Sequence, residues 1–210
     1  MRRIAFGLLA CLLPFALWAQ AQGQAANPKL KPGELLPASV KDVKMLNVDG
    51  RELSIADVKG QKGTLVIFSC NSCPWVKAWE TRIAEVGNWA QTQGIGVIMI
   101  NPNDPAKNSE DRYEVMQQRT KERGFKFPYV VDATSDVARA FGATHTPEFF
   151  LFDSQGKLVY TGALDDNARN PEAVKERYLK NALDALLAGR PVPVSQTKSI
   201  GCTIKFREKT

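Results

Sequence analysis

From Thr64 to Ser69 the chain reads TLVIFS, an apolar run without polar alternation, as expected of a central parallel strand covered on both faces. Shortly after it, Val76, Trp79, Ile83, Val86 and Ala90 recur at intervals of three and four. That period predicts a long helix with one apolar face, and Pro74 stands where a first-turn proline is tolerated. A second apolar run, GVIMI from Gly96 to Ile100, predicts another buried strand.

The remaining pattern fills in around these. Val43 to Val48 and Arg51 to Ile55 flank Asp49-Gly50, a dipeptide suited to the positive φ angles of a tight hairpin. Ser109 to Arg123 reads as a polar helix, Tyr129 to Val131 as a short strand and Asp136 to Phe141 as a brief helix. Glu148 to Phe152 and Lys157 to Thr161 predict two strands around Ser154-Gln155-Gly156. Asn170-Pro171 is placed to open a last helix as cap and first residue, and Gly189 followed by Pro191 to close it. Strand, helix, strand, then two strands and a closing helix predicts an α/β fold with a mixed sheet flanked by helices, preceded by an N-terminal β-hairpin.

The two ends follow other rules. Residues 1–21 carry two arginines, an apolar run from Ile4 to Ala19 and then Ala19-Gln20-Ala21, which fits a secretory signal cleaved after Ala21. The rival, an uncleaved anchor, is disfavoured because the run is short of the roughly 18 residues a spanning helix needs and Pro14 interrupts it. Leu8-Leu9-Ala10-Cys11 imitates a lipoprotein processing site, but cutting there would waste the apolar residues beyond it. Residues 22–37, rich in Gln, Ala, Pro and Lys, are expected as a flexible leader. A domain spanning 38–190 and a tail, 191–210, packed on it complete the division. With 210 residues and 44% hydrophobic content, the chain can bury one core but hardly two.

Charge excludes more than it suggests. Loss of Arg2 and Arg3 leaves 26 basic against 22 acidic residues, a net charge of about +4, too mild and dispersed to argue for nucleic acid. Cleavage also removes Cys11, so the exported chain keeps Cys70, Cys73 and Cys202. An odd number outside the reducing cytosol leaves at least one thiol outside any intrachain pair.

The candidate chemistry lies in SCNSCPWVKAW. Cys70 falls just past the end of the central strand and at the amino end of the long helix, where free N–H groups and the dipole favour an anion. Thiols so placed ionise more readily. On this reading Cys70 attacks, and Cys73, one turn in and more shielded, resolves the mixed disulfide. A structural staple is the competing reading, but so small a closed loop stabilises little. Thr146-Pro147 adds an X-Pro bond, the only kind for which a cis peptide is cheap.

The combination of an apolar strand, Cys-x-x-Cys at a helix start, and Thr-Pro before a strand and hairpin resembles the thioredoxin superfamily. More narrowly, FSCNSCPWVKAWE, FPYVVDAT, GATHTPEFFLFDSQGKLVYTGALDD and IGCTIKF resemble the peroxiredoxin-like, redoxin-type family that carries CNxCP. The resemblance covers most of Leu35 to Phe206. It implies a thioredoxin-like fold with Thr146 and Pro147 as a cis-proline loop facing the cysteines and offering backbone hydrogen bonds to a substrate chain.

Three departures bear on mechanism. Aligning a peroxidatic cysteine with Cys73 puts Cys70 where peroxiredoxins have threonine. The buried aspartate of many thioredoxins has no counterpart in Thr64 to Phe68, so its proton-handling role would fall to Glu148 or Glu80, although each reads first as a solvent-facing carboxylate. His145, the sole histidine, stands two residues before the proline and is either a modulator of a neighbouring thiol, a metal ligand or a plain loop residue. Cys202 follows PVPVSQ in what resembles an extra strand and is read as a buried or structural contact, with pairing to Cys70 or Cys73, or to a partner, as alternatives.

The expected function is an exported thiol-disulfide oxidoreductase acting on protein or small-molecule disulfides, with an electron-exchange partner and without a cofactor. The alternatives are a copper- or zinc-binding module built on Cys70, Cys73 and His145, and a peroxiredoxin-like peroxidase. The signal suits a bacterial periplasm.

Overall fold

A computed structural model describes residues 27–208; the signal assigned to 1–21 and the start of the leader lie outside the described residues. In chain order the elements are β1 (Met45–Asn47), β2 (Glu52–Leu53), β3 (Gly63–Phe68), α1 (Pro74–Thr92), β4 (Ile95–Asn101), α2 (Tyr113–Arg123), β5 (Tyr129–Val131), α3 (Asp136–Phe141), β6 (His145–Thr146), β7 (Glu148–Asp153), β8 (Leu158–Gly162), α4 (Tyr178–Leu187) and β9 (Cys202–Thr203).

Seven strands form one mixed sheet in the order β2-β1-β5-β4-β3-β7-β8, and β6 pairs with β9 in a separate two-stranded ribbon. β3 lies centrally, parallel to β4 and antiparallel to β7. All six of its residues are buried, and the pleat sends them alternately to two cores. Leu65 and Ile67 join Trp79, Ile83 and Leu183 on the face covered by α1, α2 and α4. Val66 and Phe68 join Val137, Phe141 and Phe150 on the face covered by α3. A strand that must satisfy both faces has no polar position to spare, which is why its sequence is a continuous apolar run.

Three elements differ from the sequence expectation. The polar segment from Ser109 is not one helix: Ser109–Asp111 forms a 3-10 turn capped by the Asn108 side chain, and Arg112, with ψ 155°, breaks the path before α2. The break turns Asp111 inward. Asn170-Pro171 likewise opens only a 3-10 turn, with α4 beginning at Tyr178. The intervening residues are held extended by hydrogen bonds to the preceding loop, from the Asp166 amide to the Glu176 carbonyl and from the Lys175 amide to the Asp166 carboxylate. The leader is not loose from Asn27 onward, because the amides of Leu30, Gly33 and Leu36 donate to the carbonyls of Phe141, Leu158 and Gly156.

Glu80, expected to face solvent, is 2% exposed and receives hydrogen bonds from Arg119 at 2.8 and 2.9 Å, with Arg123 at 2.8 Å. It joins α1 to α2. Truncating one member of a buried ion pair leaves the other charge uncompensated, so Glu80→Ala is expected to cost about 3 kcal/mol of stability. Urea unfolding of the reduced protein measures it; a loss well below 1 kcal/mol would show that solvent reaches the pair.

Candidate active site

The site is assembled where the carboxyl end of β3, the start of α1 and the β6–β7 junction meet. Pro74 is the first residue of α1, and Cys73 before it is extended, with φ −74° and ψ 124°. The cause is local. Proline disfavours the helical conformation in the residue preceding it, and its own missing N–H costs nothing at a helix start. The helix cap is therefore Cys73, and Cys70 lies three residues ahead of it. This corrects the expected placement, in which Cys70 opened the helix and Cys73 sat inside it.

Both thiols are 2% exposed. The Thr146-Pro147 peptide is cis and lies directly against them. Cys70 Sγ is 3.0 Å from Thr146 Oγ1, and Cys73 Sγ is 3.1 Å from the Thr146 carbonyl oxygen. A third sulfur completes the cluster: Cys202 Sγ is 2.7 Å from Cys73 Sγ, and Trp75 and Cys202 both pack against the group of Cys70, Cys73 and Val76.

The two cysteines of the pair differ electrically. Cys73 is drawn down to about 5, first by a hydrogen bond from the Cys70 thiol, with help from the Cys202 thiol and the Val76 amide of the first turn of α1, against burial. Cys70 is pushed up, first by its hydrogen bond to Cys73, then by burial and the Asp111 carboxylate. Cys202 rises to about 11 through burial and its hydrogen bond to Cys73. In the reduced protein the thiolate therefore belongs to Cys73.

The depressed thiol fixes the sign of the pH effect. A thiol whose pKa falls on folding stabilises the fold above its ordinary value near 9, and that contribution is lost as pH falls through about 5. Thiolate ultraviolet absorbance of the reduced protein is expected to show a step centred near pH 5 that vanishes in Cys73→Ser. A lowest step near the ordinary thiol value of about 9 would show that the neighbouring thiols do not hold the anion at Cys73.

Asp111 was missed by sequence reasoning. Its carboxylate, 3% exposed, accepts from the amides of Asn71 at 2.7 Å and Ser72 at 3.2 Å, from Ser72 Oγ at 2.7 Å and from the Asn103 side chain at 2.9 Å. The Asn71 side chain donates to the Glu110 carbonyl and accepts from Tyr129 Oη. The two residues between the cysteines are thus bound through their side chains and amides alike. Nothing in the sequence marks the break at Arg112, since Asn108 stands just ahead of the expected helix, where a cap belongs.

The other predicted residues divide. Glu148 is fully buried rather than solvent-facing. It accepts from Ser199 Oγ at 2.6 Å and the Thr144 amide at 2.9 Å, and it pairs with Lys29 at 2.5 Å. It anchors the prolyl loop to the tail and leader. Neither Glu148 nor Glu80 contacts a sulfur; the carboxylate acting on Cys70 is Asp111. His145 is half-buried, with Nδ1 2.8 Å from Thr144 Oγ1, and is not gathered with the cysteines. Among the described residues no three His, Cys, Asp or Glu side chains converge to hold a metal ion, so the set Cys70, Cys73 and His145 is not assembled. The Thr146 edge, expected to meet a substrate chain, is occupied by the protein's own β9, with Thr146 opposite Cys202.

The pattern of the AhpC/TSA family matches residues 37–161. The chain belongs to that family. Relatives of this AhpC/TSA-family chain include the thiol-disulfide oxidoreductase ResA of Geobacillus thermodenitrificans, 25% identical over 83% of this chain and 95% of the relative. A crystal structure of an uncharacterised conserved protein from Geobacillus kaustophilus is 39% identical, with TM-score 0.78 over 85% of this chain and 94% of the other. A thioredoxin-like protein in its oxidised form superposes with TM-score 0.60 at 19% identity, over 77% of this chain and 99% of the other. The fold is thioredoxin-like, a mixed sheet flanked by helices.

Proposed function

We propose that this AhpC/TSA-family oxidoreductase carries out thiol-disulfide exchange through Cys70 and Cys73 after export to a periplasm-like compartment. The observation that carries the reading is the paired thiols packed against a cis-prolyl peptide, with the second cysteine at the N-cap position of a long helix. Cys73, as thiolate, attacks one sulfur of a substrate disulfide, and the first substrate thiol leaves. Cys70 then attacks Cys73 Sγ, giving the Cys70–Cys73 disulfide and releasing the second thiol. This reverses the roles read from the sequence. The anion is held at Cys73 first by the Cys70 thiol, with the Cys202 thiol and the Val76 amide helping. A separate electron-exchange partner returns the pair to the dithiol.

The relative named as a thiol-disulfide oxidoreductase supports the same chemistry. The signal pattern of residues 1–21 supports export, and no helix among the described residues is long and apolar enough to cross a membrane. Thr146 and Pro147 position the thiols from below, through the hydroxyl and carbonyl of Thr146. Glu148 and His145 act at one remove by holding the loop.

Equilibration of the mature protein in graded glutathione buffers, followed by alkylation and mass measurement, tests the reading. A reversible two-electron transition confined to the pair is the expected result. Failure of any disulfide to form within the protein would overturn it, as would stoichiometric copper or zinc held through the cysteines and His145. Rapid peroxide consumption dependent on Cys73 would assign the site to the peroxidase branch of the family instead.

A further inference from the structure

The C-terminal strand pairs along the Thr146 edge, which the family resemblance assigns to a substrate chain. β9 runs antiparallel to β6, with Thr146 opposite Cys202 and His145 opposite Thr203, and the Ile204 amide donates to the Thr144 carbonyl at 2.9 Å. Gly201 lies so close to the loop that a Cβ there would be 2.3 Å from the Thr146 carbonyl oxygen. Anchors fix the strand on both sides. Ser199 is bonded to buried Glu148, Ile204 is itself buried, and the Lys205 amide donates to Asn103. The segment therefore delivers a thiol to 2.7 Å from Cys73 Sγ, a short movement from the roughly 2.0 Å of a disulfide. Of the three sulfurs, that of Cys202 belongs to the most exposed residue.

We propose that Cys202 is a third redox-active cysteine, which forms a disulfide with Cys73 as an alternative to the Cys70–Cys73 bond. The step rests on the exchange chemistry proposed above. Cys73 opens a substrate disulfide and is left bonded to one substrate sulfur. Cys202 then attacks Cys73 Sγ, the Cys73–Cys202 bond forms, and the bond to substrate breaks. The departing substrate sulfur takes the proton that Cys202 gives up. Two electrons pass from the two protein thiols to the substrate disulfide, as in resolution by Cys70. Cys73 is the shared member because it packs with Cys70 and lies 2.7 Å from Cys202, and because it is the thiol most fully ionised near neutral pH. While Cys73 is bonded to Cys202, β9 is tied covalently to the start of α1 and stays paired with β6.

The test uses the full mature chain, reduced and then oxidised with glutathione disulfide, trapped with N-ethylmaleimide and digested with trypsin without reductant. Trypsin places Cys70 and Cys73 together in residues 63–77 and Cys202 in residues 199–205, so a crosslink between those peptides is diagnostic. Wild type is expected to give the crosslink alongside the Cys70–Cys73 disulfide. Cys70→Ala is expected to give the crosslink alone, and Cys202→Ser to lose it while keeping the Cys70–Cys73 bond. Gly201→Val, which drives a side chain into the Thr146 carbonyl, is expected to deplete the crosslink selectively. Alkylation of Cys202 in buffers that fully form Cys70–Cys73, with no crosslink in wild type or Cys70→Ala, overturns this inference and leaves the exchange function standing. Absence of both disulfides from wild type overturns the two together. If Cys70→Ala does not fold, the wild-type peptide map decides alone.

Discussion

Cys73→Ser is expected to remove every intramolecular disulfide and to reduce disulfide exchange to the uncatalysed background. No other single substitution should have so large an effect on activity. The reason is geometric: Cys73 packs in one cluster with Cys70 and lies 2.7 Å from Cys202. It also holds the anion, and the thiolate is the attacking species. A serine hydroxyl in the cap keeps the helix start intact, so the loss of activity should come without a large loss of stability. Reduction of insulin disulfides, followed beside thermal unfolding, separates the two. By contrast, Cys70→Ser should retain slow exchange through Cys202. Activity in Cys73→Ser comparable to wild type would move the chemistry to Cys70 and restore the order read from the sequence.

The second large effect is structural. Asp111→Ala removes the acceptor for two backbone amides, the Ser72 hydroxyl and the Asn103 side chain. Buried donors left unpaired cost about 1–3 kcal/mol each, and local relaxation recovers part of that. A net destabilisation of about 3 kcal/mol or more is expected, with the Asn71-Ser72 loop no longer held. Asp111→Asn is the informative companion. It keeps one acceptor oxygen and removes the negative charge, so the Cys70 thiol should titrate lower than in wild type while the protein stays folded. Urea unfolding gives the first quantity and pH-dependent alkylation of Cys70 the second. If Asp111→Ala unfolds at the wild-type urea concentration, the carboxylate is not what holds the loop.

Much of the fold was legible because its signals are periodic and local. The continuous apolar run of β3 reports burial on two faces, and the three-and-four spacing of Val76, Trp79 and Ile83 reports a helix lying on a sheet. The helix ends were less legible. Asn108 and Asn170 do cap turns, but whether a capped turn grows into a helix depends on tertiary partners. Asp111 turns in toward the loop at 71–72, and the chain after Ala173 is held by bonds to Asp166. Glu80 and Glu148 read as surface carboxylates because their cationic partners are remote in sequence. Arg119 and Arg123 lie on another helix, and Lys29 lies in the leader.

By itself the sequence determined the two thiols, their spacing, the proline that starts α1 and the prolyl loop, since each is a property of neighbouring residues and their covalent geometry. Only the tertiary structure decided which sulfur bears the charge, which carboxylate governs the loop and what covers the site. Those depend on groups brought together from distant parts of the chain: Cys202 from the tail, Asp111 from the turn before α2 and Thr146 from the β6–β7 junction. Electrostatic and hydrogen-bond energies fall off over a few ångströms, so they answer to distance in space and not to separation along the chain.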